Sequence, residues 1–128
     1  LPLWEHIPDG EPYLFADPDR PGTQRVYVYG SHDMLRTQYC GTDQVVWSAP
    51  ADSLDCWRYD GVIFESRLDA EGNPLHSDGR GDVLYAPDVT EVTGPDGKKT
   101  YYLYPNNQES GRTGMVAKSV RGHQLVCG

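Results

Sequence analysis

Apolar and polar positions along this chain alternate with a period of two in short runs, and clusters of turn residues separate the runs. Glu11-Pro12-Tyr13-Leu14-Phe15 is the first run, with an acid at its entrance. Asp17-Pro18-Asp19-Arg20-Pro21-Gly22 closes it as a hairpin loop, and Arg25-Val26-Tyr27-Val28-Tyr29 follows, ending at Gly30-Ser31-His32-Asp33. A polar connection leads to a third strand over Asp43–Ala49, stopped at Pro50, and a fourth over Trp57–Phe64. Glu65–Asp82 reads as a long loop with glycines at 72, 79 and 81. The apolar run Val83-Leu84-Tyr85-Ala86 then breaks at Pro87, and Asp88-Val89-Thr90-Glu91-Val92 alternates as a half-buried strand does. Gly94-Pro95-Asp96-Gly97 is a turn signal, and Lys99–Tyr104, β-branched and aromatic, is the next strand. Further strands are expected over Arg112–Val120 and Gln124–Cys127.

The order of the first half thus recurs in the second, with the two tyrosine-rich strands about 75 residues apart. No window of helical length carries a 3.6-residue period. Two tandem meanders of four short antiparallel strands point to an all-β, β-propeller-type fold within one domain, residues 1–128. The first unit spans about 9–64, the loop 65–82, and the second unit about 83–128. A two-sheet sandwich is the rival that turn spacing does not exclude. Glu11 and Asp88 hold the same place in the two units, the entrance of the first strand. In a propeller such strands line the central channel, so the two carboxylates converge on one face. Taken singly, Asp88 also reads as a loop aspartate capping its own turn.

Composition sharpens this in several respects. The 128 residues carry a net charge of −8, which argues against nucleic acid as a partner and suits a neutral substrate such as a sugar. No segment approaches the ~20 apolar residues of a membrane span. No secretory leader pattern and no initiator Met stand at the start, so the ends read either as processing ends or as ends chosen for expression, and localisation stays open. The three cysteines, Cys40, Cys56 and Cys127, are odd in number and not spaced as metal ligands; they read as free buried thiols rather than a Cys40–Cys56 bridge. No metal site or cofactor is expected. The first residues, through Pro8, resemble an arm laid over something. Trp47, Tyr101, Tyr102 and Tyr104 read as strand packing.

The segments LYAPDV, GEP, YGSHD, QVVWSAPADSLDCWRYDGVIF and KKTYYLYPNN together resemble glycoside hydrolase family 43, over nearly the whole chain. That resemblance implies a five-bladed propeller and inverting hydrolysis of β-xylosides, α-L-arabinofuranosides, arabinans or galactans. It implies three acids: a base at the entrance of blade one, a helper at the entrance of blade two and a general acid in blade three. Asp88 matches the helper, raising the acid's pKa by like charge and orienting it. Glu11 falls where the family has Asp, one methylene shorter, which leaves Asp9 as the nearby substitute. The chain corresponds to the first two blades, so the general acid is missing, and Glu109 does not replace it. His32, Asp33 and Asn107 are expected at the rim as sugar contacts, since imidazole and amide groups suit neutral hydroxyls. Two blades leave open flanks, so a homo-oligomer is expected to complete the ring.

Overall fold

The computed structural model of the chain describes residues 6–33, 41–69, 71–107, 116–119 and 126–127. Within them lie eight strands and no helix: β1 Glu11–Ala16, β2 Gln24–Ser31, β3 Asp43–Pro50, β4 Arg58–Glu65, β5 Asp88–Thr93, β6 Lys99–Tyr104, β7 Ala117–Ser119 and β8 Val126–Cys127. They form two antiparallel sheets, each in chain order, β1-β2-β3-β4 and β5-β6-β7-β8. Trp57 lies just outside β4, and β7 and β8 are shorter than the runs that suggested them; residues 112–115, 120, 124 and 125 lie outside the described residues.

Turn chemistry sets both registers. The β1–β2 loop is closed by Asp17 N–H to Thr23 O at 2.9 Å, with the Asp17 carboxylate accepting from Asp19 N–H. This aligns Glu11 with Tyr29 and Tyr13 with Tyr27. The β5–β6 turn is closed by Gly94 N–H to Lys98 O at 2.8 Å, with Gly97 at φ 77°, the left-handed region that a glycine enters without a Cβ penalty. That turn aligns Asp88 with Tyr104 and Val89 with Leu103. The pairing of β3 with β4 shifts twice, between Gln44 and Val45 and between Val46 and Trp47. Such bulges tilt the outgoing strand.

Alternation then decides the faces. Tyr13, Phe15, Tyr27, Tyr29 and Val46 of the first sheet share one core with Leu84, Val89, Leu103 and Ala117. Phe15 meets Tyr101 across it, ring centroids 5.1 Å apart and nearly perpendicular. Trp47 is buried on the other face of the first sheet, against Tyr59 at 5.1 Å. Tyr101 is buried and Tyr102 half-buried as packing residues, but Tyr104 is exposed, because its alternation puts it on the outer face of β6. Cys56 is a free thiol, and it is exposed rather than buried: it sits in the β3–β4 turn, beside Ser53. Cys40 lies outside the described residues, as does the side chain of Cys127.

The arm reading applies to the described part of the N-terminal segment. Ile7 packs so closely on Gly30 that a Cβ there would stand 1.8 Å from its Cγ2. His6 O accepts from Asp33 N–H. A buried ionic group lies at the other end of the sheet: Arg25 and Asp17, 5% and 3% exposed, face each other at 3.6 Å, and Arg25 Nε donates to Ser48 Oγ. The loop after β4 has structure of its own. Residues 67–69 and 73–75 run antiparallel, with Leu75 N–H donating to Arg67 O and a Leu68–Pro74 bridge, and the Asp69 carboxylate accepts from Glu71 and Asn73 N–H.

Candidate functional site

The register puts the start of β1, the end of β2, the start of β3 and the end of β4 at one end of the first sheet. Glu11, Ser31 to Asp33, Asp43 and Glu65 therefore share that end. In the second sheet the start of β5 lies beside the end of β6, which places Asp88 near Tyr104 and the residues after it. One side chain ties the two ends together. The Tyr13 hydroxyl donates to Asp88 Oδ1 and accepts from the Val89 backbone N–H at 3.2 Å. Glu11 precedes Tyr13 by two residues on β1, so both point to the inner face. Glu11 and Asp88 are both exposed.

Electrostatics report the same proximity. The Tyr13 phenol is pushed above its ordinary value, first by burial, then by its hydrogen bond to Asp88 and the charges of Asp88 and Glu11; the Val89 N–H opposes the shift. Both carboxylates thus act on one hydroxyl. Asp9 sits in the turn before β1 with φ 55°, exposed, a left-handed backbone that aspartate tolerates better than most residues.

Asp88 is delivered by a strap, residues 81–87, that crosses from the first sheet to the second. Ser66 Oγ lies 2.6 Å from Asp82 O and 2.9 Å from Thr42 O. Leu84 N–H donates to Gly41 O, Tyr85 N–H to Asn106 O, and Gln44 Nε2 to Tyr85 O. Within the strap, the Asp82 side chain is buried. Its Oδ1 is 2.7 Å from His76 Nε2, and its Oδ2 accepts from Asn107 Nδ2 at 3.4 Å. Asn107 is therefore engaged with the strap, and Leu84 bridges it through the backbone. His32 Nδ1 is paired with Asp43 Oδ1 at 3.4 Å. Asp33 carries a buried Oδ1 that has no hydrogen-bond partner among the described residues. Glu109 lies outside them.

Three of these residues were not singled out from sequence. Tyr13 had a signal, its position two residues after Glu11 on the same strand face. Asp82 and His76 had none, since their pairing depends on how the loop folds back. Among the described residues no three His, Cys, Asp or Glu side chains are grouped as a metal site would need. A cleft of about 650 Å³ lies at the opposite ends of β1 and β5, bordered by Ala16, Pro18, Gly94, Lys98 and Tyr101. It is away from both acids, and its rim is two hairpin turns. Glu11 and Asp88, both exposed, can accept hydrogen bonds from a polyol and polarise water. The arrangement by itself names no reaction.

No protein-family model matches the chain, and no solved structure matches it. The chain is similar to a protein of Thermoclostridium stercorarium named xylosidase/arabinosidase, 52% identical over 105 residues, which is 81% of this chain and 19% of that protein. The chain thus spans about a fifth of the length of the curated relative it matches.

Proposed function

We propose that this chain is part of a glycoside hydrolase that releases xylose or arabinofuranose from plant cell-wall glycans by an inverting mechanism, and that it carries two of that enzyme's three acids. The two sheets are then the first two blades of a propeller of the family 43 type. The relative named xylosidase/arabinosidase supports the hydrolase class and the sugars. The observation that carries the reading is the hydrogen bond from the Tyr13 hydroxyl to Asp88, which brings the acid of the second sheet to the strand that carries Glu11. Inversion needs a carboxylate on water and an acid on the leaving oxygen, roughly 6.5–9.5 Å apart. Glu11 serves as the base, since it lies on β1 on Tyr13's face; Asp9 stands in the turn before it. Asp88 orients the proton donor and raises its pKa by like charge. His32, Asp33 and Asn107 contact sugar hydroxyls at the rim.

Turnover of aryl β-xylosides and aryl α-L-arabinofuranosides tests this. In Asp88→Asn the charge is lost and the shape kept, and the rate is expected to fall about a hundredfold or more with the circular dichroism spectrum unchanged. An undiminished rate rejects the role of Asp88. A second reading is a carbohydrate-binding or structural unit without chemistry, in which Glu11 and Asp88 only accept hydrogen bonds from sugar hydroxyls. Saturable binding of xylo- or arabino-oligosaccharide without turnover supports that one. For the isolated chain, we further propose that copies associate to cover the outer faces of the sheets.

A further inference from the structure

We propose that Tyr13 is a positioning residue of the acid pair: its hydroxyl fixes the Asp88 carboxylate and the start of β5 against β1, and so sets the place of Asp88 relative to Glu11. This inference rests on the hydrolase reading for its catalytic consequence, but its geometry stands on the contacts alone.

Three features of Tyr13 separate it from a packing residue. Its hydroxyl is used twice, as donor to Asp88 Oδ1 and as acceptor of the Val89 N–H. Among the described residues β5 pairs with β6 alone, and the Val89 N–H points away from that neighbour, across to β1. An edge donor of this kind would otherwise face water. Taking the N–H and the adjacent carboxylate with one hydroxyl fixes the direction of the Asp88 side chain relative to its own backbone.

The ring is held as firmly as the hydroxyl. Phe15 stacks on it at 5.8 Å with planes 5° apart, and Tyr29 meets it edge-on at 5.9 Å. A phenylalanine would keep both ring contacts, so the packing alone does not require the oxygen. A hydrogen bond to an exposed carboxylate also adds little to stability, because water replaces it. Orientation is what the hydroxyl adds. Glu11, two residues back on the same face, completes the geometry: a strand rises ~3.4 Å per residue, so the Glu11 backbone lies ~7 Å from that of Tyr13. The acid on the second sheet is thereby held to a strand whose own acid is a fixed step away.

The test uses the 128-residue chain with 13C at the tyrosine ζ-carbons. The Tyr13 resonance is assigned by its loss in Tyr13→Phe. In the native chain it is expected to titrate above a free tyrosine; in Asp88→Asn it shifts to lower pH, and in Glu11→Gln it shifts in the same direction by less. A Tyr13 titration unmoved by Asp88→Asn overturns the proposal. The kinetic arm uses the same aryl glycosides. Tyr13→Phe is expected to lower kcat by up to about a hundredfold, the cost of a small misplacement of a reacting group, with KM kept and the acid limb of the pH–rate profile displaced. An unchanged kcat and profile in a folded Tyr13→Phe variant overturns it as well. Coupled titration in a chain whose native form hydrolyses neither substrate supports the link between the acids while rejecting hydrolysis by this chain.

Discussion

Tyrosine hydroxyls at different depths in this chain behave differently, although the residue type is the same. Tyr13 keeps its oxygen at the edge, where two partners use it. Tyr27 is buried in the core, and burial, then the charge of Asp60, pushes its phenol up to about 12; Tyr29 and Tyr101 are also raised, chiefly by burial. In each the neutral form is favoured by folding. Stability from these groups is therefore complete below the unfolded value of ~10 and is lost as pH rises from there towards the folded values. The urea midpoint is expected to stay level from about pH 7 to 9 and to fall steadily between about 10 and 12. A midpoint flat to pH 12 would contradict the burial of these phenols. Alternation indicated which tyrosines face inward, but the depth of each depends on the opposing sheet. Cys56 makes the same point, an apolar-looking residue left outside by a turn.

At the scale of elements, the strap that ends in Asp88 depends on one close approach. A Cβ at Gly81 would stand 2.6 Å from Arg67 Cγ, 2.7 Å from Ser66 Oγ and 2.9 Å from Thr42 Cβ. Gly81→Ala is expected to push the strap off Ser66 and Thr42 and to cost about 1–3 kcal/mol, read from urea unfolding. Gly72→Ala, in open space, is the control; its cost comes only from its φ of 85° and leaves the strap in place. The hairpins at Asp17–Gly22 and Gly94–Gly97 were legible because their turn residues lie next to one another. The strap was not, because its partners Gly41, Gln44, Ser66 and Asn106 are up to dozens of residues away in sequence. A proline and an aspartate in an apolar run mark a junction, and only the two sheets say what it joins.

At the scale of the whole molecule, the described residues leave an apolar surface on the outer face of the first sheet. Leu14, Tyr59 and Val62 are 51%, 46% and 52% exposed there, flanked by half-buried Val26 and Val28. An antiparallel sheet with one wet face normally alternates to polar side chains. These positions carry no charge, in a chain with net charge −8. Light scattering at micromolar concentration is expected to give a mass above 14.3 kDa, returning to the single-chain mass in Leu14→Lys with Val62→Lys. A native chain that is a clean monomer overturns the proposed self-association.

Period-two alternation and local turn chemistry determined the all-β class, the meander order within each sheet and the equivalence of Glu11 and Asp88, because these follow from neighbours a few residues apart. Tertiary structure alone decided the Tyr13 bridge, the burial of Asp82 against His76 and Asn107, and the pairing of His32 with Asp43. Each of these joins segments whose separation in sequence carries no mark of their contact. The physical reason is that side-chain direction is set locally, whereas the partner a side chain meets depends on how two sheets pack.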